Sequence, residues 1–262
     1  MTLSLVQYLL GVGSGALVGF VLGLIGGGGS ILAVPLIVYL VGVRNPHLAI
    51  GTSALAVAAN AATGLVHHAR AGHVKWRCAA VFAVAGVAGA AVGSTLGKQF
   101  DGQKLLFLFA LLMIVVGIVM LRRKGQGGNS EVTLDASNAA NLAALGLSAG
   151  MFSGFFGIGG GFLIVPGLIA ATDMPMIYAV GSSLLAVTAF GLTTAANYAI
   201  SGLIDWPLAI AFVAGGVVGS LGGTKLAKNL SKERGRLTIV FAVLIFVVAA
   251  YMLWKSYSAA WG

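Results

Sequence analysis

The sequence predicts an all-α polytopic membrane protein of two homologous halves, with roughly eight to ten transmembrane segments that include half-helices after glycine-rich breaks. Three observations carry that expectation. Hydrophobic residues make up 59% of the 262-residue chain and charged ones 8%, with a mean hydropathy of +1.02; a soluble globule needs about a quarter of its residues charged. Residues 1–43, 136–172, 174–204, 206–224 and 237–254 contain no Asp, Glu, Lys or Arg, and uncharged apolar runs of roughly 18 or more residues mark spanning helices. Finally, the chain repeats itself: the stretch from Gly23 through Gly26-Gly27-Gly28-Gly29-Ser30 to Val34-Pro35 returns as Gly154 through Gly157-Ile158-Gly159-Gly160-Gly161 to Val165-Pro166, 131 positions later.

The repeat extends well past the glycines. Gly51-Thr52-Ser53 matches Gly181-Ser182-Ser183 at an offset of 130; Gly72 and Trp76 match Gly202 and Trp206; Gly86, Gly89 and Gly93 match Gly216, Gly219 and Gly223; and Lys98 matches Lys228. Two transmembrane repeats, 1–122 and 139–262, are therefore expected, joined by a polar cytoplasmic linker at 123–138 that contains Gly125-Gln126-Gly127-Gly128-Asn129-Ser130.

Taken in order, the first half reads as Leu3 to Ile25, a glycine break, Ile31 to Val41, Leu48 to His68, Cys78 to Leu96 and Leu105 to Leu121. The first segment lacks a basic leader and runs far beyond a signal-peptide core, so it is expected to stay in the mature protein. The segment after the break is about 10–12 residues, or roughly 15–18 Å of helix against a hydrocarbon core of about 30 Å, which makes it a half-crossing or a strongly tilted span. The second half repeats the pattern as Ala139 to Phe156, a break, Phe162 to Ala171, Met176 to Ile200, Pro207 to Leu226 and Leu237 to Trp254.

Charge in the loops sets the expected orientation. Residues 69–77 carry Arg70, Lys75 and Arg77, whereas the matching 201–206 carries only Asp205; conversely, 225–236 is far more basic than 97–104. The positive-inside rule then puts 69–77, 122–124 and 225–236 in the cytoplasm, both termini outside, and the halves in inverted orientation. The net charge of +9 is orientation signal and contact with anionic lipid, not a nucleic-acid footprint. Cys78 is the only cysteine, which excludes an intramolecular disulfide and a cysteine metal cluster.

The breaks carry the expected chemistry. Non-helical backbone at membrane depth survives only where it is buried in protein or lines a wet cavity. Gly26, Gly27, Gly28 and Gly29 with Ser30, and Gly157, Gly159, Gly160 and Gly161 in the second half, would leave helix N–H groups open to a ligand, and the positive end of the helix dipole favours an anion. Inversion would aim the two N-termini at one midplane site. Thr52, Ser53, Ser182 and Ser183 recur after a glycine in both halves and are expected beside the breaks as donors to substrate oxygens. Asn60, His67 and Asn197 are candidate gating or lining residues, although His67, next to a basic loop, reads first as an interfacial histidine and only second as a proton-sensitive gate. Gly86, Gly89 and Gly93, at spacings of three and four, read as helix-packing positions, and Trp76 and Trp206 as aromatic-belt residues.

Apart from Lys225 at the very end of Pro207 to Leu226, no Asp, Glu, Lys or Arg falls inside the expected spans, and the lack of any carboxylate argues against the relays of proton pumps and cation transporters. There is no GxxxxGK[ST] loop, and at depth there is no nucleophile, metal set or carboxylate pair for an enzyme. No metal or other cofactor is expected. A secondary or passive anion transporter without ATP hydrolysis remains, with an anion channel or an importer of a small organic acid as alternatives.

The paired glycine runs leading to Val34-Pro35 and Val165-Pro166, followed by Gly51-Thr52-Ser53 or Gly181-Ser182-Ser183 and then Gly72 to Trp76 or Gly202 to Trp206, resemble the TauE/SafE family over nearly the whole chain. The resemblance implies a bacterial-type inner-membrane permease for sulfite, thiosulfate or an organosulfonate. The two runs differ, Gly-Gly-Gly-Gly-Ser against Gly-Ile-Gly-Gly-Gly, so the half-sites are not equivalent. Export of an anion is driven by an inside-negative potential, about 2.3 kcal/mol per charge per 100 mV, which favours efflux. The expected partners are a small anion and the bilayer; the small-residue faces also leave room for a homodimer.

Overall fold

The computed structural model describes residues 3–122, 133–157, 161–230, 243 and 245–255, and every regular element among them is helical. Helix α1 spans Leu5–Ile25. The first glycine run then winds as a 3-10 stretch, Gly26–Leu32, continues through one α-turn, α2, Ala33–Pro35, and loosens into a π turn, Leu36–Leu40. Helices α3 Pro46–Arg70, α4 Trp76–Gln99 and α5 Gly102–Arg122 complete the first half. The second half follows the same order with α6 Ala136–Phe156, α7 Gly161–Thr172, α8 Met176–Ile200 and α9 Trp206–Leu230, and ends in α10, Ile245–Lys255. Seven of these helices are long and apolar enough to cross a membrane, and three shorter apolar stretches, Gly29–Leu40, Leu163–Thr172 and Ile245–Lys255, accompany them. Residues 123–132 of the expected linker lie outside the described residues, and α6 already begins at Ala136.

Glycine placement dictates how the halves join. A β-carbon on Gly89 or Gly93 of α4 would overlap the carbonyl of Leu147 or Met151 on α6, and one on Gly150 or Gly154 of α6 would overlap that of Gly86 or Ala90 on α4. The same happens between α1 and α9: Gly15 faces the Phe212 carbonyl, Gly19 that of Gly216, Gly219 that of Ala16 and Gly223 that of Phe20. Each first helix thus lies backbone to backbone on the fourth helix of the other half, a contact only a missing side chain permits. In both pairs residue numbers rise together, so the two helices run parallel.

At the centre, α3 and α8 pack with opposite numbering. Gly51 approaches Tyr198 and the Leu203 carbonyl, Gly191 approaches Ala58, and Gly64 approaches Leu184. The two helices are antiparallel. Both are followed by the same sharp reversal, with Gly72 at φ +73 and Gly202 at φ +67, a backbone region where a side chain costs about 1–2 kcal/mol. Trp76 and Trp206 then open α4 and α9, each more than half exposed, as expected of belt residues.

These directions fix which loops share an end. Residues 69–77 and the start of α6 lie at one end, hereafter the basic end, because Gly146 sits beside Phe82 near the start of α4. Residues 42–45, 97–104 and 201–206 lie at the opposite end, where Gly102 packs on Pro46.

One expectation about the spans needs correction. Hydropathy ended the fourth segment at Leu96, but α4 continues to Gln99 and carries Lys98 as part of the helix. Gly97 sits inside the helix because its bare Cα abuts the Phe155 carbonyl, and a lysine can extend its charge beyond the apolar run from a helical position.

Candidate functional site

The second break begins where α6 ends. Gly157 adopts φ +68 and returns its N–H to the Gly154 carbonyl at 3.3 Å, the left-handed cap that glycine supplies. A β-carbon there would overlap the Ile50 side chain. Gly159 and Gly160 lie outside the described residues, and Gly161 opens α7. In the first half, Gly26, Gly27, Gly28 and Gly29 form the 3-10 stretch; Gly29 folds back so tightly that a β-carbon would overlap the Leu22 amide nitrogen of α1. Ser30 is fully buried beside it. The 3-10 stretch and α7 pack against each other in the interior.

The helices that lead into the two breaks end at different heights. Phe155, two residues before Gly157, contacts Gly97, about 31 Å along α4 from Trp76. Leu24, at the end of α1, contacts Gly223, about 26 Å along α9 from Trp206. Since Trp76 and Trp206 stand at opposite ends, α1 and α6 end on opposite sides of the bundle's middle, and the first run folds back from there until Gly29 lies against Leu22. The reason is that α1 and α6 each run nearly the full depth of the bundle before the chain turns back.

The recurring hydroxyls divide into two kinds. Thr52 Oγ1 accepts the Asp205 N–H at 2.9 Å, and Ser182 Oγ accepts the Lys75 N–H at 2.9 Å. Each helix thereby anchors the loop that leaves the other one, and each anchor follows a glycine, Gly51 or Gly181, that lets this loop approach. Ser53 Oγ donates to the Ile50 carbonyl at 2.9 Å and stands 3.5 Å from the Gly157 carbonyl, at the second break. Ser183 donates to the Val180 carbonyl at 2.7 Å.

Asn60 is 1% exposed, and neither its amide nitrogen nor its oxygen has a partner. It lies in the notch left by Gly216 on α9, in the space a β-carbon would take. At the matching position of the second half Phe190 fills the notch of Gly86 and stacks on Phe82, ring centroids 6.3 Å apart. His67 is exposed at the basic end, with Nδ1 2.9 Å from the Thr63 carbonyl. Asn197 donates to Ser94 Oγ at 2.7 Å and Thr95 Oγ1 at 2.8 Å, and accepts from Lys98.

Lys98 was not among the residues singled out from sequence, because it stood past the apolar run. The available signal was its match with Lys228 one helix from each break. No group of three or more His, Cys, Asp or Glu suited to a metal occurs among the described residues. What the interior offers a ligand is hydroxyl, amide and backbone donors, with ammonium groups at the ends.

A family model described as Sulfite exporter TauE/SafE matches residues 11–252. A probable membrane transporter protein of Xylella fastidiosa (strain 9a5c) is 52% identical over 249 residues, covering 95% of each chain. A probable membrane transporter protein of Bacillus subtilis is 26% identical over 255 residues, covering 89% of this chain and 92% of its own. A protein of Arabidopsis thaliana named Sulfite exporter TauE/SafE family protein 2 is 34% identical over 125 residues, 47% of this chain and 27% of its own. No solved structure matches. Two helix breaks, the hydroxyls after Gly51 and Gly181, and a match along almost the whole length agree: this chain belongs to the TauE/SafE family of membrane transporters.

Proposed function

We propose that this protein is a secondary or passive transporter that moves small sulfur-containing anions, sulfite, thiosulfate or an organosulfonate, out of a bacterial-type cell across its inner membrane. The observation that carries this reading is the pair of interrupted helices, one in each half, in a bundle whose interior polar groups are donors and hydroxyls. A dehydrated anion needs such donors, whereas a cation would need carboxylates or clustered carbonyls. The printed family description supports the sulfur anion.

The two halves act as inverted repeats, a reading supported by the antiparallel α3 and α8 and by the exchange of partners between α1, α9, α4 and α6. The basic end faces the cytoplasm, where Arg70, Lys75 and Arg77 gather anions. Each break then serves one end, and the anion passes between them as the short segments shift. The interior between the breaks is filled by Ile31, Val34, Ile37, Phe82 and Phe190, all fully buried, which supports a carrier over an open channel.

Thermal-shift measurements on detergent-purified protein against sulfite, thiosulfate, sulfate, taurine, sulfoacetate, phosphate and small carboxylates test the substrate class. Selective stabilisation by sulfur anions is the expected result; stabilisation only by carboxylates would overturn it.

A further inference from the structure

We propose that the groove between the segment after the first break and α10 is a binding site for one acyl chain of a membrane phospholipid. The site is independent of which anion the protein carries.

The groove has a volume of about 220 Å³. One wall is formed by Leu32, Leu36, Tyr39 and Leu40, whose spacing puts them on one face of the winding chain, and the other by Val248 and Tyr251 of α10. From Leu32 to Leu40 it is about 12 Å long. It opens at Leu40, 50% exposed, and Tyr251, 40% exposed, and ends on Leu32, 2% exposed, the last residue of the 3-10 stretch. A path of hydrocarbon thus leads from the outside of the bundle to the first break.

Both walls belong to short apolar segments, Gly29–Leu40 and Ile245–Lys255, so the groove lies at membrane depth, where the bilayer is the solvent. Water needs several polar partners and meets hydrocarbon and ring faces there. An empty cleft forfeits the dispersion contacts of its lining. A helix from a second copy is about 10–12 Å across, too thick for a cleft of this size. A single acyl chain is thin and apolar, and the bilayer supplies it on that face.

The mouth suits a phospholipid. The segment runs into residues 42–45, at the end opposite the basic end, and Tyr39 meets Tyr251 edge-on with ring centroids 5.5 Å apart. Trp254 stands one turn further on, 6.4 Å from the Tyr251 ring, and Lys255 follows it. Tyrosine and tryptophan at that height make an aromatic belt. Arg44 and Lys255, both exposed at the same end, supply positive charge for a phosphate headgroup.

The wall that the chain touches is also irregular. Leu36–Leu40 is a π turn, closed by the Val41 N–H on the Leu36 carbonyl at 2.9 Å, and π turns occur frequently at functional sites. A chain bound here braces the broken segment against α10.

Native mass spectrometry of the full-length protein, purified in a mild detergent and titrated with dioleoylphosphatidylglycerol, tests the site. Wild type is expected to retain one phospholipid per chain. Leu36→Trp and Val248→Trp fill the groove from opposite walls, so each should cut the retained fraction at least fivefold with an unchanged or higher melting temperature. Val218→Trp, on an exposed face of α9, should retain lipid as wild type does. Should both groove variants fail to fold, a phosphatidylglycerol with a photoactivatable diazirine in its acyl chain, applied to wild type, decides; crosslinks are expected on residues 32–40 and 248–251. Crosslinks only elsewhere, no retained lipid, or equal retention in wild type, Leu36→Trp and Val248→Trp would overturn the site. A dimer that Leu36→Trp dissociates would overturn it in favour of a second copy. Lipid uptake gained only when the chain is ended at Lys255 would overturn it in favour of the chain's own last residues.

Discussion

Asn60 shows what one residue can decide. Its amide is buried in the Gly216 notch with both ends unpartnered, where the other half places Phe190 against Phe82. Apolar packing there would be the more stable choice, since a buried amide without partners costs free energy that a hydrocarbon of the same shape does not. Asn60→Leu is accordingly expected to keep or raise the melting temperature while cutting anion flux at least tenfold; unchanged flux would remove Asn60 from the path. Thr52 and Ser182 have the opposite character, because each holds a loop of the other half by one hydrogen bond. Thr52→Val and Ser182→Ala should each lower stability by about 0.5–1.5 kcal/mol. Because the two anchors sit at opposite ends, the double variant should show the sum. Sequence alone selected Thr52 and Ser182 from their recurrence, but not this use, which depends on which loop lies above each hydroxyl.

Among elements, the glycine stripes are the structural core and the glycine runs are not interchangeable with them. Gly89 and Gly150 face carbonyls on a partner helix with no space for a β-carbon, so Gly89→Val or Gly150→Val should push α4 and α6 apart and abolish the monodisperse folded peak in size-exclusion chromatography. Gly72 has nothing near its absent side chain but needs a positive φ; Gly72→Ala should cost only about 1 kcal/mol and leave that peak in place. The expected segments and the role of the stripe were legible because hydropathy and small-residue spacing are local properties. The end of α4 was not: the apolar run stops at Leu96, whereas the helix is carried to Gln99 by its contact with Phe155 and by Lys98 reaching α8. The height of the breaks was equally hidden, because it depends on how far α1 and α6 travel beside helices of the other half.

For the whole molecule, the repeat in the sequence reappears as exchanged packing, with α1 on α9, α4 on α6 and α3 against α8. That arrangement puts residues 69–77 and 201–206 at opposite ends, and the orientation proposed above from the charge bias has the former in the cytoplasm. In a Cys78→Ser background, a cysteine at Ala71 should react with a membrane-impermeant maleimide only from the cytoplasmic side, and one at Ser201 only from outside; labelling of both from one side would contradict inverted halves. The claim that unites these scales is movement of a sulfur anion without ATP. Its most direct test is release of sulfite from proteoliposomes held at an inside-negative potential, compared with protein-free vesicles and with the Gly28→Leu variant. The account predicts saturable, potential-accelerated release that the variant loses while keeping its melting temperature; release no faster than from protein-free vesicles, for sulfite, thiosulfate and isethionate alike, would contradict it.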